Sequence, residues 1–106
     1  MSLEQVHIID AIGIDNITGY VVLTISDPFE WVDTNEHLLM LQDKVNVYLN
    51  FVESGEIFDV YPNANGKPVL IDVVHKFYPN SMGQEFYNQI IPIIESAGMK
   101  LQYREL

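Results

Sequence analysis

A chain of 106 residues, 48% of them apolar, can fill one hydrophobic core but not the cores of two ordinary domains, so residues 1–106 are read as one domain. A net charge of −10, from 15 carboxylates against five Lys and Arg, argues against the clustered cations that a nucleic-acid partner requires. The absence of cysteine excludes disulfides, thiolate zinc sites and a thiol nucleophile, and the apolar runs are too short and too often broken by charge for a membrane span.

The charge is uneven: eight carboxylates and no Lys or Arg precede Lys44, so the first 43 residues carry −8. Acidity of this kind either keeps a small domain soluble or steers it onto a basic protein partner. The opening MSLEQVHIIDAIG lacks the basic region and long apolar stretch of a secretion signal, which predicts a cytoplasmic protein.

Val6 to Asp15 alternates Val6, Ile8, Ile12 and Ile14 on one side and predicts a strand; NITG then supplies turn residues, and the β-branched run Tyr20 to Ser26 completes a hairpin. Pro28 takes the chain out of the sheet. From Asp33 to Gly55, Leu38, Leu41, Val45, Tyr48 and Val52 recur at steps of three and four, the pattern of a helix that buries one face. Asp33 suits its N-cap, with Glu36 completing a capping box, and Gly55 suits the left-handed residue that ends it. About twenty residues at ~1.5 Å each make a rod of roughly 30 Å, long enough to span the domain.

Residues 56–67 mix Ile57, Val60 and Tyr61, which suit a helical turn, with Pro62, Asn63, Asn65 and Gly66, and are read as mostly loop. Val69 to Tyr78 predicts a third strand. Ser81 and Gln84 form a second capping box before a helix that runs to Gly98, in which Pro92 predicts a kink or a break. Met99 to Leu106 alternates as a last strand. The order β-β-α-β-α-β predicts an α+β two-layer sandwich, a four-stranded sheet with two helices on one face. Its other face would present Ile9, Tyr20, Val22, Leu70 and Val74, too apolar to be left in water, which predicts a homodimer through that face unless residues 56–67 fold over it.

The segments IIDAIGID, TISD with Trp31 downstream, NEHLLMLQDKVNVYLNFVESGEI and YPNANGKPVLIDVV are similar to a family of small bacterial proteins that form a domain of unknown function. The resemblance covers nearly the whole chain, and NEHL to ESGE is its most specific part. It implies a free-standing bacterial cytoplasmic protein without a cofactor, and it carries over no catalytic or binding residue.

Asp27, Glu30, Asp33 and Glu36 fall every three residues with His37 beside the last, the oxygen-rich chemistry that hard cations take, although carboxylates at a helix start also offset its dipole. His7, His37 and His75 could combine with Asp10 or Asp72 for acid/base work, but no spacing supports it and no catalytic residue is assigned. Phe29 and Trp31, flanked by Glu30 and Asp33, either close the core or anchor a partner. The main functional expectation is a non-catalytic acidic binding protein, of inhibitor or immunity type. The alternatives are a metal-dependent module or small enzyme using the Asp27 to His37 cluster, and a structural or assembly protein.

Overall fold

The computed structural model of the chain describes residues 2–106 and is built on an open four-stranded mixed sheet in the order β1-β2-β3-β4. Strands β1 (Ala11–Ile14) and β2 (Val21–Asp27) are antiparallel, and β3 (Val69–His75) and β4 (Lys100–Glu105) continue from β2 in parallel. With helices α1 (Thr34–Glu53), α2 (Glu56–Val60) and α3 (Ser81–Ser96), the fold is α+β, in the expected order with one short helix added. At the turn between β1 and β2, Asp15 Oδ1 accepts from the Ile17 amide at 2.8 Å. Gly19 closes it at φ +78°, where a Cβ would be strained.

Register puts Val21, Leu23 and Ile25 beside Val69, Ile71 and Val73, with Leu101 next along, and all are buried beneath the helices. Strand alternation sends Val22, Thr24, Leu70, Asp72, Val74, Lys100 and Gln102 to the opposite face, where of these only Asp72 is buried. From α1 come Leu41, Val45, Tyr48 and Phe51, and from α3 Tyr87 and Ile94. The α1 ends are those read from sequence: Asp33 Oδ1 accepts from the Glu36 amide at 3.4 Å, and Gly55 follows Ser54 at φ +83°.

Several local expectations are corrected. The first strand begins only at Ala11, because the Asp10 amide donates to the Tyr48 hydroxyl at 2.8 Å instead of to a ladder partner. Ile9 consequently packs on the core and leaves the outer sheet face, while Ile8 is exposed. Residues 56–67 are largely helical: α2 is followed by a 3-10 turn at Pro62–Ala64, and Ile57 and Ala64 are buried in the core, so this segment does not cover the outer face. The cap of α3 is Asn80, whose side chain accepts from the Gly83 amide at 3.0 Å, one residue before the Ser81 expected. Pro92 does not break α3, which runs unbroken from Ser81 to Ser96; Asn88 and Pro92 are both exposed, so the carbonyl deprived of its helical donor lies on the solvent side.

Candidate functional site

Helix α1 turns two ionisable side chains, His37 and Lys44, toward the sheet along with its apolar stripe. They are seven residues apart, about two helical turns, and so share one face. Each meets a carboxylate from the N-terminal half of the chain. Lys44 Nζ donates to Asp10 Oδ1 at 2.9 Å and to the carbonyls of Ser2 and Gln5 at 3.0 and 2.8 Å, which uses all three ammonium protons. Asp10 Oδ2 in turn accepts from the Ser26 amide at 2.9 Å, and Tyr48 donates to the Thr24 carbonyl at 2.5 Å. Burial pushes the Tyr48 phenol well above its ordinary value, so the hydroxyl stays protonated as that donor.

His37 belongs to a second network at the carboxyl end of the parallel strands, where open α/β sheets commonly place their ligands. Asp27 and His75 are the last residues of β2 and β3 and are register partners. Asp27 Oδ2 lies 2.5 Å from His37 Nε2 and 2.8 Å from His75 Nδ1, while Oδ1 accepts from the Phe29 amide at 3.1 Å. An ionised carboxylate only accepts, so both imidazole nitrogens carry protons. In neutral His75 the other nitrogen, Nε2, then accepts from the Tyr87 hydroxyl at 2.6 Å. Burial drives the Asp27 carboxyl up, but the bonds from His75, His37 and the Phe29 amide outweigh it and hold the group below its ordinary value. Burial, with the Asp27 charge second, raises the Tyr87 phenol.

Aromatic rings close this network. Trp31 stacks on His37 with centroids 3.8 Å apart at 16°, and its Nε1–H donates to the Phe77 carbonyl at 3.0 Å. Tyr103 stacks on Tyr87 at 4.0 Å and 8°. Asp27, His37, His75 and Tyr87 are all buried, and His37 Nδ1 is the one buried side-chain polar atom among the described residues without a hydrogen-bond partner. The arrangement can hold a proton relay from Tyr87 to Asp27, but both histidines spend their donors on one oxygen. Gly83 is part of the closure: a Cβ there would lie 2.9 Å from both Trp31 Cη2 and Pro79 Cβ. Gly83→Ala is therefore expected to lift the indole off His37 and to cost about 1–3 kcal/mol by overpacking. Trp31 is the sole tryptophan, so a red-shifted emission together with a lower unfolding midpoint would report it, and an unchanged spectrum would mean the indole is not wedged there.

Of the five residues considered for a metal, only Asp27 and His37 meet; Glu30, Asp33 and Glu36 are exposed. Among the described residues no group of three or more His, Cys, Asp or Glu is arranged to hold a metal ion. Phe29 and Trp31 are half-buried against the core, with Glu30 and Asp33 exposed between and beyond them. Of the histidines weighed for acid/base work, His37 and His75 come together through Asp27, whereas His7 is exposed. Neither proposed carboxylate partner joins them: Asp10 pairs with Lys44, and Asp72 with Arg104 and Gln102. Sequence reading missed Lys44 as a core residue, His75 as a partner of Asp27, Tyr87 as a partner of His75, and the Trp31–His37 stack, since the groups lie 6 to 48 positions apart with no motif spacing.

The helix surfaces carry the other distinctive feature. Glu36, Asp43 and Glu53 on α1, Glu56 and Asp59 on α2, and Glu85 and Glu95 on α3 are all exposed. Lys44, the only cation in the three helices, is fully buried. The exposed cations Lys67, Lys76, Lys100 and Arg104 all flank β3 or lie on β4.

Fold and surface together define a small α+β domain with a sealed polar network at one end of its sheet and an anionic helix layer. No helix among the described residues is long and apolar enough to cross a membrane. The chain belongs to the family of unknown function DUF6572, whose model matches residues 1–106. No curated protein and no solved structure matches it.

Proposed function

We propose that this chain is a non-catalytic binding protein of the bacterial cytoplasm, of inhibitor or immunity type, which presents its helix layer to a basic protein partner. The observation that carries the reading is that seven exposed carboxylates stand on the helices while their one lysine faces inward, so a single sign of charge meets an approaching partner. The lack of cysteine fits a reducing compartment. An enzyme built on Asp27 and His37 draws less support, because both side chains are enclosed and already bonded to each other.

The reading is tested by capturing the partner from the native host and measuring its association rate at rising ionic strength. A basic partner whose association slows about tenfold or more between low and high salt, and slows likewise with Glu36→Lys/Asp43→Lys, is the expected result. A partner indifferent to both would leave the acidity as a solubility device.

A second reading concerns the outer sheet face, where Val22, Leu70 and Val74 stay half-exposed, Gln102 and Arg104 bond to the buried Asp72 between them, and Lys100 lies over the Tyr20 ring. This supports a homodimer, hence a structural or assembly role, although Ile9 no longer contributes. Sedimentation at micromolar concentration is expected to show a dimer that Val22→Lys or Val74→Lys converts to a folded monomer; a wild-type monomer at every concentration overturns it.

A further inference from the structure

We infer that the groove between α1 and α3 docks a basic amphipathic helical segment of the partner protein, an inference that rests on the acidic-binding reading above. The groove runs between Leu38, Leu39 and Leu49 of α1 and Phe86, Ile90 and Ile93 of α3. It consists of two hollows that follow one another along the helix pair, with Gln42 and Phe86 lining both. Leu39 is 58% exposed and Ile93 63%, so large apolar side chains stand uncovered on each wall. A trough of this kind between two helices takes the apolar stripe of a third, read as side chains at steps of three and four.

The rim selects the charge of the occupant. Glu36 and Asp43 stand three residues before and four after Leu39, which places both on the ridge beside it, and Glu53 stands four after Leu49. Lysines or arginines flanking the apolar stripe of a docked segment meet these carboxylates, and no cation of the three helices competes for them, because Lys44 is bonded inward to Asp10 and two carbonyls. The same rim repels an anionic membrane surface and nucleic acid. The groove thus adds an apolar specificity element to what would otherwise be charge attraction alone.

The probes are a synthetic 18-residue leucine–lysine peptide whose leucines fall on one helical face, and a peptide of identical composition permuted to have no such face. Fluorescence anisotropy with the intact chain is expected to show the amphipathic peptide binding at least tenfold more tightly. Ile93→Asn, at an exposed position that the fold tolerates, should abolish that preference while leaving the permuted peptide's binding unchanged; a circular dichroism melt confirms that the variant is folded. Equal affinities for both peptides, weakened by salt and by Glu36→Lys/Asp43→Lys, would overturn the groove and leave the acidic-surface reading standing. A preference that survives Ile93→Asn also overturns it. Failure of both peptides to bind would overturn the groove and the acidic-surface reading together.

Discussion

Lys44→Met is expected to destabilise the fold by about 3–5 kcal/mol, against the roughly 5–15 kcal/mol that holds a domain of this kind folded. Methionine nearly matches the lysine in volume, so packing against Leu41 and Tyr48 changes little. The loss comes from what the ammonium leaves behind: the Asp10 carboxylate and the carbonyls of Ser2 and Gln5, each bonded to it at 3.0 Å or less. A buried acceptor stripped of its donor bears the full cost of its lost hydration, and a charged one bears more. Because the pair acts as a unit, Lys44→Met/Asp10→Asn should cost less than the two single changes added together, by about 1–3 kcal/mol. Urea unfolding of the four proteins measures this. A Lys44→Met cost under about 1 kcal/mol, the range of surface changes, would mean that the ammonium reaches water.

Asp27→Ala is expected to cost about 3–5 kcal/mol, since it removes three bonds to a charged acceptor and leaves His37 and His75 with buried donors. Its signature is in the pH dependence. The Asp27 carboxyl sits below its unfolded value of 3.8, so its contribution is fully present above that pH and is lost as the pH falls through the lower folded value. Wild-type stability should therefore fall below about pH 4. Asp27→Ala should start lower and show a shallower decline there. Unfolding midpoints at pH 7, 5 and 3 provide the check, and parallel declines for the two proteins would show that Asp27 is not the group responsible. Tyr87→Phe tests the outer link: it removes the hydroxyl donated to His75 Nε2 at 2.6 Å and should cost about 1–2 kcal/mol without altering the acid limb.

The sequence by itself determined the helices and strands wherever a pattern was written locally. Apolar spacing and the Asp33 and Gly55 end signals define α1, a β-branched run defines β2, and alternation defines β3 and β4, because those signals act within one or two turns of chain. The α+β class followed from their order. Ile9 illustrates the limit: its place in an alternating run put it on the outer face, but the run is interrupted when the Asp10 amide finds Tyr48, 38 residues away. Asp33 was legible as a cap because its partner is three residues off, whereas Asp27, in the same acidic run, found its partners 10 and 48 residues away. Apolar periodicity likewise cannot say that a lysine in the stripe is buried, since Lys44 turns inward only because Asp10 and two carbonyls wait there. Parallel pairing decided the rest. By setting the ends of β2 and β3 side by side, it brings an aspartate and a histidine into contact, and α1 and α3 close over them with His37 and Tyr87. The uniform sign of charge on the helix layer was equally a tertiary outcome, produced when the one helical cation was buried and the others were left beside β3 and on β4.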